Sequence, residues 1–351
     1  MANIVEQIKY KRKELSPHKS IIDPKFDAKT VLTNNPWSFV SLWLKREKKE
    51  KALFYWNQAE TFYKASKGLP LQSAPLLHYY AFMNAVKTLL EAKNITFDEM
   101  HGVRSHNTRG PSDKIKLANE GVRILQRGIL PSLSSYYGET ETISDHSLEE
   151  LLFNLPYIHR TFCLTYPRQT EMFIPLINCK YVTNRTTRKA YLSAELSKDF
   201  GSERIINRLP ISLIRDTSNM EIFLIKSSYE VNFSNPKKPT STDINNLKLL
   251  QQQIRKDISY INGANTLWYA KSNVAGPNRL SRFPTTMTLA AMHRISELCR
   301  YRPLELDSFL SGQKNWLLTE FISQAPIQFI DEISSEITGY VFLTPNVRVA
   351  T

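Results

Sequence analysis

The chain has little cysteine and little glycine, and both shortages exclude common kinds of site. Its three cysteines, Cys163, Cys179 and Cys299, lie far apart and form no Cys-x-x-Cys pair among 351 residues. That spacing supports neither a disulfide framework nor a zinc site, and it favours a reducing compartment. With 11 glycines and no Gly-x-x-x-x-Gly-Lys or Gly-x-Gly-x-x-Gly motif, the sequence has no phosphate-binding loop. Nucleotide hydrolysis by a P-loop is therefore excluded.

Long apolar runs are missing as well. No segment approaches the ~18 consecutive apolar residues that span a bilayer, and the first residues, MANIVEQIKYKRKEL, lack the apolar stretch of a signal peptide. We therefore expect a soluble, cytoplasmic protein that has no membrane partner. The seven histidines form no His-Glu-x-x-His or His-x-His pattern, so we expect neither a metal site nor a cofactor.

Positive charge is what the chain has in excess. It carries 46 Lys or Arg and 33 Asp or Glu, a net charge of +13 with a pI near 9.5. Residues 226–302 alone contain 12 basic and 4 acidic side chains, whereas the last fifty residues lean acidic. Such a balance favours an anionic partner, RNA or DNA, on one basic face. The alternative is that the charge only keeps the protein in solution.

Apolar periodicity predicts that most of the chain is helical. Phe54, Tyr55, Phe62 and Tyr63 share one helical face, and Gly68 to Pro70 ends that helix. A second helix begins near Ser73 as its cap, so the two form an antiparallel hairpin. Further helices are predicted near residues 113–126, from the capping box of Ser147 and Glu150, at 285–301, and as a last pair at 306–325 and 326–337.

Strand signals concentrate after Cys179, where Val, Ile, Thr, Tyr and Phe recur between turn residues. The polar stretch SNPKKPTSTDINN then resembles a linker. We therefore predict an α+β fold that is mainly α-helical with a small antiparallel β element in the middle. The predicted regions are a helical one at 1–178, a β-rich insertion at 179–240, and a C-terminal helical one at 241–351 that packs on the first.

Four pieces of the chain, in order, resemble the YaaC-like family of bacterial proteins. They are PLLHYYAFMNAVKTLLE, the His101-Gly102 pair, SLEELLFNLP at 147–156 and MHRISELCRYRPLEL at 292–306. The resemblance extends over most of the length and lies in the order and spacing of the pieces. The sequence departs from the family pattern after Met292, where His293 and Arg294 replace a more aliphatic run. The resemblance implies a fold more than a reaction.

The first helical hairpin also resembles, more distantly, the HEPN helical domains. Some of these are ribonucleases with an Arg-x(4 to 6)-His motif, in which the Arg stabilises charge at the scissile phosphate and the His moves a proton. The one formal match here runs from Arg12 to His18, but its Ser-Pro step is a poor helix interior. The nuclease signature is therefore missing from its usual place.

The strongest candidate site is the segment HGVRSHNTR, which we expect to be part of an exposed loop at 101–112. Its His101, Arg104, His106 and Arg109 can hold phosphate through charge-assisted hydrogen bonds. Arg104 and His106 are the catalytic candidates if the protein has an activity. The alternative is a solvated basic turn, since loops collect such residues.

A second candidate segment is VAGPNRLSRFP, where Arg279 and Arg282 precede Phe283 and predict contact with nucleic acid. Arg300 and Arg302 are interpreted mainly as cations at the end of a helix, with phosphate contact as the alternative. The aromatic cluster around Trp37, Trp43 and Trp56 is interpreted as core.

These observations favour a basic cytoplasmic bacterial protein that acts on or beside nucleic acid, plausible as a component of an anti-phage defence or stress system. One alternative is a ribonuclease with a non-standard Arg and His site. Another is an interaction protein or homo-oligomeric scaffold that has a protein partner and no catalysis.

Overall fold

A computed structural model describes residues 5–107, 116–219, 221–236, 238–273 and 279–345. Contacts between Cα atoms divide the chain into two compact units. Unit 1 contains residues 1–34, 172–274 and 339–351, and unit 2 contains residues 35–171 and 275–338. Each unit is therefore assembled from segments that lie far apart in the sequence. This division differs from the linear regions 1–178, 179–240 and 241–351 that the sequence suggests, because strands and helices from distant segments share each core.

The described residues form eleven α-helices, which are α1 (Pro36–Arg46), α2 (Glu50–Ser66), α3 (Ala74–Ala92), α4 (Ile129–Tyr136), α5 (Leu148–Phe153), α6 (His159–Thr165), α7 (Glu203–Ile206), α8 (Ser241–Ile254), α9 (Pro284–Tyr301), α10 (Pro303–Ser311) and α11 (Asn315–Thr338). The strands are β1 (Val5–Gln7), β2 (Lys9–Tyr10), β3 (Lys13–Glu14), β4 (Val31–Leu32), β5 (Val103–Asn107), β6 (Glu120–Ile124), β7 (Asp145–Ser147), β8 (Phe173–Asn184), β9 (Lys189–Leu196), β10 (Leu213–Arg215), β11 (Leu224–Ser227), β12 (Val231–Asn232), β13 (Ile258–Ile261), β14 (Leu267–Lys271) and β15 (Phe342–Leu343).

Unit 1 is built on an antiparallel sheet of eight strands. The main path runs β10-β11-β9-β8-β14-β13, while β1 also pairs with β8 and β12 with β9. The long pair β8 and β9 forms the centre, with a register shift between Ile177 and Lys180. Helix α8 contributes Leu247, Leu250 and Ile254 to the same apolar core as the sheet.

The expectation of a small β element is therefore wrong. The described residues are 44% helical and 19% strand, and the sheet takes strands from residues 5–7 and 258–271 as well as from the expected segment. Short strands such as β1 and β13 carry little pattern of their own, whereas the strand-like composition of residues 265–273 does indicate β14. They are specified by pairing with distant strands, which a local reading of the sequence cannot see.

Unit 2 is helical around α3, in which 14 of 19 residues are buried. This helix packs against α2, α9 and α11, and α11 continues through Pro326. Helix α2 lies where the sequence predicts a helix, and α1 precedes it as a separate helix. Trp37, Tyr55 and Trp56 are buried while Phe54 is exposed.

A three-stranded antiparallel sheet, in the order β5-β6-β7, completes unit 2. Two local expectations are wrong at this sheet. Residues 103–107 form strand β5 instead of a loop, and residues 120–124 form strand β6 instead of part of a helix. The buried Val103 and Val122 anchor the pair, so tertiary packing overrides the polar composition of these strands.

Candidate functional site

Helix α9 carries unusually polar side chains into the interior of unit 2. It begins at Pro284, in the first turn where the missing backbone N–H costs nothing, and it packs against α3, β5 and β6. His293 and Arg294 are 6% and 4% exposed, and Glu297 is half-buried. Polar residues at buried positions are informative because they require partners.

Arg294 joins α9 to the small sheet through Glu120 of β6. Its Nη2 donates to Glu120 Oε2, and its Nη1 donates to Glu297 Oε2 at 3.3 Å. Arg302 Nη1 lies 3.7 Å from the same Glu120 carboxylate. Ser105 of β5 adds a hydrogen bond to Glu297. The inner face of the sheet is therefore tied to α9 by a buried network of paired charges.

His101 lies beside this network, at the entrance to β5. The Tyr79 hydroxyl is 2.5 Å from His101 Nδ1, and the two rings stack with centroids 5.4 Å apart and planes 11° apart. His293 approaches both rings, with centroids 5.0 Å from Tyr79 and 5.9 Å from His101. The imidazole of His101 is exposed, whereas Tyr79 is buried. A buried tyrosine thus fixes the orientation of a surface histidine.

Gly102 shows why a His-Gly pair is needed at this point. Its φ is +73°, in the region that favours glycine, and a Cβ built there would lie 2.3 Å from Pro131 Cδ. The same Cβ would lie 3.0 Å from the backbone of Gly128. A larger residue would push His101 and the start of β5 away from α4.

The electrostatic surroundings keep these imidazoles neutral near pH 7. Partial burial lowers the pKa of His101, and the positive charges of Arg300 and Lys87 lower it further. Burial lowers the pKa of His293 to about 3, with added effects of His101, Arg294 and Arg300. Burial raises the pKa of Glu297, although Arg294 opposes this shift. A neutral histidine surrounded by cations is suited to accept a proton or to meet an anion.

The end of α9 adds a cation and an aromatic ring at the surface. The Arg300 guanidinium lies 4.5 Å above the centroid of the Tyr301 ring, and its Nη1 donates to the Tyr80 hydroxyl at 3.3 Å. Tyr301 is 66% exposed, so one face of its ring is open for a stacking partner. The sequence favours Arg300 as a helix-end cation, with phosphate contact as the alternative, and it does not single out Tyr301. The Arg-Tyr-Arg run at 300–302 was the sequence signal that could have identified Tyr301.

The catalytic candidates Arg104 and His106 lie on the other face of the small sheet. Arg104 is opposite Arg123, which makes two hydrogen bonds to Asp145 at 2.6 and 2.7 Å. His106 Nε2 is 3.8 Å from Asp145 Oδ2. A cavity of about 400 Å³ here is lined by His106, Ala118, Asp145, His146, Ser147, Glu149 and Glu150. His106 therefore has acidic neighbours, and the structure places it apart from the Tyr79 and His101 pair.

The remaining predicted residues are dispersed. Arg109 lies outside the described residues, and Arg279 is half-buried. Arg282 is 8% exposed and donates to Glu139 at 3.2 Å, to His146 Nε2 at 3.1 Å and to the Ile143 carbonyl at 2.9 Å. Of the six predicted nucleic-acid contacts, His101 is the one that the structure joins to the charged end of α9.

A comparison with known protein families supports the resemblance that four pieces of the sequence suggest. The family described as YaaC-like Protein matches residues 24–337. The chain belongs to the YaaC-like family. No match was found among curated proteins or among solved structures. Family membership of this YaaC-like chain therefore extends over α3, the His-Gly pair and α9, the elements that form the His101 site.

Two further properties apply to the ranges of this YaaC-like protein that the structure describes. Within them, no group of three or more His, Cys, Asp or Glu side chains is placed to hold a metal ion. None of the helices that the structure describes has the length and apolar character to cross a bilayer.

Proposed function

We propose that unit 2 binds single-stranded RNA at a surface formed by Lys87, His101, Arg300 and Tyr301, called here the His101 surface. The observation that carries the proposal is the orientation of His101. Its Nδ1 is paired with Tyr79, and among the described residues no group hydrogen-bonds to Nε2. The exposed edge of the ring thus faces outward with Lys87 and Arg300 close enough to lower its pKa.

The chemistry of these side chains fits a sugar-phosphate chain with unpaired bases. An Arg and a Lys attract phosphate oxygens, and a histidine beside them can donate or accept one hydrogen bond. Tyr301 offers a stacking surface for a base, a contact worth roughly 1–3 kcal/mol. The net charge of +13 supplies a long-range attraction of the same sign. Unpaired RNA meets all three requirements at once.

The test is equilibrium binding of a fluorescent single-stranded RNA of about twelve nucleotides, measured by anisotropy at several salt concentrations. We expect affinity to fall steeply with salt, and Arg300→Gln to reduce the slope of log K against log salt by roughly 0.7. Tyr301→Ala should weaken binding by ~5- to 150-fold with an unchanged slope. Arg160→Gln is the matched control, because Arg160 is an exposed arginine already paired with Glu171.

Binding that is insensitive to salt, or equal losses in Arg300→Gln and Arg160→Gln, would overturn the proposal. Absence of RNA binding together with a defined oligomer in light scattering would favour the interaction protein instead. The exposed Leu304, Trp316 and Ile327 would then be its contact candidates.

A second function, RNA cleavage, is favoured by the Tyr79, His101 and His293 arrangement. In the tautomer whose Nδ1–H donates to the Tyr79 hydroxyl, the neutral His101 has a free lone pair on Nε2 and can act as a general base there, while Arg300 stabilises charge at phosphorus. This would be a HEPN-like ribonuclease whose Arg and His come from separate segments, in place of the Arg-x-His motif. Loss of cleavage in His101→Gln with RNA binding retained would support it, and cleavage that persists in His101→Gln would exclude it.

The cellular part of the proposal is a role in bacterial defence or stress, which rests on analogy with HEPN-like domains. Its test compares phage plaque counts on cells that make the native protein with cells that make the Arg300→Gln, Tyr301→Ala double variant. Equal protection by the two proteins would separate any defence role from the His101 surface.

A further inference from the structure

Unit 1 contains a cavity of about 190 Å³ that is separate from the His101 surface. It is lined by the β2 and β3 hairpin end, by the segment that follows it, and by residues of β14 and β15. The lining residues include two aromatic ones, Phe26 and Trp268, and three basic ones, Lys13, His18 and Lys19. Lys13 Nζ donates to the Ala28 carbonyl at 3.0 Å, and Lys19 Nζ donates to Asn262 and to the Phe342 carbonyl. For comparison, an apolar cavity of ~150 Å³ binds benzene, and 190 Å³ corresponds to roughly six waters. The space therefore fits one aromatic ring with a small polar group.

His18 is the side chain that indicates a ligand. It is 4% exposed, and the backbone N–H of Ser20 donates to its Nδ1 at 3.0 Å. Because Nδ1 accepts, the neutral ring carries its proton on Nε2. Among the described residues, no group accepts a hydrogen bond from that Nε2–H. A donor of a largely buried histidine that lines a cavity, with no acceptor among the described residues, is a natural position for a ligand oxygen.

The ring of His18 is also held in place. Phe26 contacts it edge-on, with centroids 5.9 Å apart, and Gln251 accepts from its backbone N–H at 3.2 Å. These contacts leave the imidazole little freedom to turn its donor elsewhere. This histidine ends the formal Arg12 to His18 match, whose Ser-Pro step argues against a helix, and the structure has strand β3 and a non-helical segment there.

The charges around the cavity are mainly positive. Burial lowers the pKa of His18 to about 3, and Lys13, Arg255 and Lys19 all act in the same direction. The Arg255 guanidinium lies 5.0 Å from the Trp268 ring centroid. Glu14 also lines the cavity, but it is exposed and lies 3.1 Å from Lys9. A ligand that brings one negative charge would be attracted here.

We propose that this cavity binds a small aromatic carboxylate of about the size of benzoate. The carboxylate accepts from His18 Nε2–H and pairs with Lys13, and the ring packs between Phe26 and Trp268. Arg255 and Lys19 contribute favourable charge without direct contact. The proposal does not depend on RNA binding in unit 2, so either can fail alone.

The experiment is titration of the full chain with sodium benzoate, followed by calorimetry and by the ¹⁵N signal of His18 Nε2. Benzyl alcohol tests the need for charge, and acetate and inorganic phosphate test the need for the ring. We expect one saturable site for benzoate, a shift of the His18 signal, and at least roughly tenfold weaker binding of the three other probes.

Two variants on the same hairpin give a matched pair. Lys13→Gln removes the cation that lines the cavity and should weaken benzoate binding by roughly tenfold. Arg12→Gln removes an exposed cation at the turn of this hairpin, at a residue that does not line the cavity, and should leave the affinity unchanged. Absence of saturable benzoate binding, equal affinity for benzyl alcohol, tighter binding of phosphate, or equal affinities of the two variants would overturn the proposal.

Discussion

The hydroxyl of Tyr79 lies 2.5 Å from His101 Nδ1, and the buried tyrosine ring stacks under the exposed imidazole. Two contacts thus set both the position and the rotation of His101. A tyrosine is a weaker orienting partner than a carboxylate, but it brings no charge into a neighbourhood that already contains Glu297. Burial raises the pKa of Tyr79 well above its usual value, so the hydroxyl stays protonated.

The first prediction concerns that hydrogen bond. Tyr79→Phe keeps the ring and removes the hydroxyl, so the free energy of unfolding should fall by about 1 kcal/mol, because His101 Nδ1 can turn to water. The ¹⁵N signals of His101 should shift toward a mixture of tautomers. Urea denaturation and NMR of the imidazole nitrogens measure the two effects. A variant with native stability and unchanged ¹⁵N signals would show that the hydroxyl does not orient the ring.

The second prediction is acid sensitivity arising from buried histidines. Burial lowers the pKa of His18 and His293 to about 3, and that of His78 and His159 to about 4. The ordinary pKa of histidine is 6.5, so below that pH the unfolded chain binds protons that the folded chain does not bind. The contribution of these histidines to the free energy of unfolding is therefore fully present above pH 6.5. It is lost as pH falls toward 4, by up to about 1.4 kcal/mol per pH unit for each histidine.

Urea midpoints between pH 7.5 and pH 5 check this slope. His159→Gln should flatten it by one proton, whatever the variant does to stability at pH 7.5. Equal slopes in the two proteins would mean that His159 is protonated in the folded chain.

The third prediction uses two serines that the sequence suggests as helix caps. Ser147 Oγ accepts from the Glu150 backbone N–H at 3.1 Å, and Glu150 accepts in return from the Ser147 N–H at 3.0 Å. Ser73 precedes α3, but its side chain makes no cap hydrogen bond. Ser147→Ala should cost about 1 kcal/mol of unfolding free energy, and Ser73→Ala should cost almost nothing. Similar losses in both variants would indicate that the capping box contributes little.

Those two serines illustrate how far sequence patterns reach in this chain. The capping box of Ser147 was predictable because its partner is three residues away. The helices at 50–66, 74–92 and 284–301 were predictable because their apolar spacing is local. Strand β6 was not predictable from pattern, since Glu120 is buried there only because Arg294, far along the chain, pairs with it.

The same difference between local and long-range signals applies to the candidate site. His101 was predicted from a concentration of basic residues within a short segment. Its partners Tyr79 and His293 were not, because the contact depends on how α3 and α9 pack beside β5. The resemblance to the family included the second half of α9. The roles of its polar side chains could be assigned only from the contacts that α9 makes with β5 and β6.

The last prediction separates a structural arginine from a binding one. Arg282 makes hydrogen bonds to the Ser134 hydroxyl, Glu139, His146 and the Ile143 carbonyl, and the Glu139 side chain is fully buried. Arg282→Met would leave that carboxylate without its cation, so we expect a loss of about 3–5 kcal/mol in urea denaturation. Arg300→Gln changes an exposed side chain and should cost less than about 0.5 kcal/mol. If the sequence-based expectation of phosphate contact by Arg282 is right, the result reverses. Arg282→Met would then keep its stability and lower the salt slope of RNA binding, while Arg300→Gln would leave that slope intact.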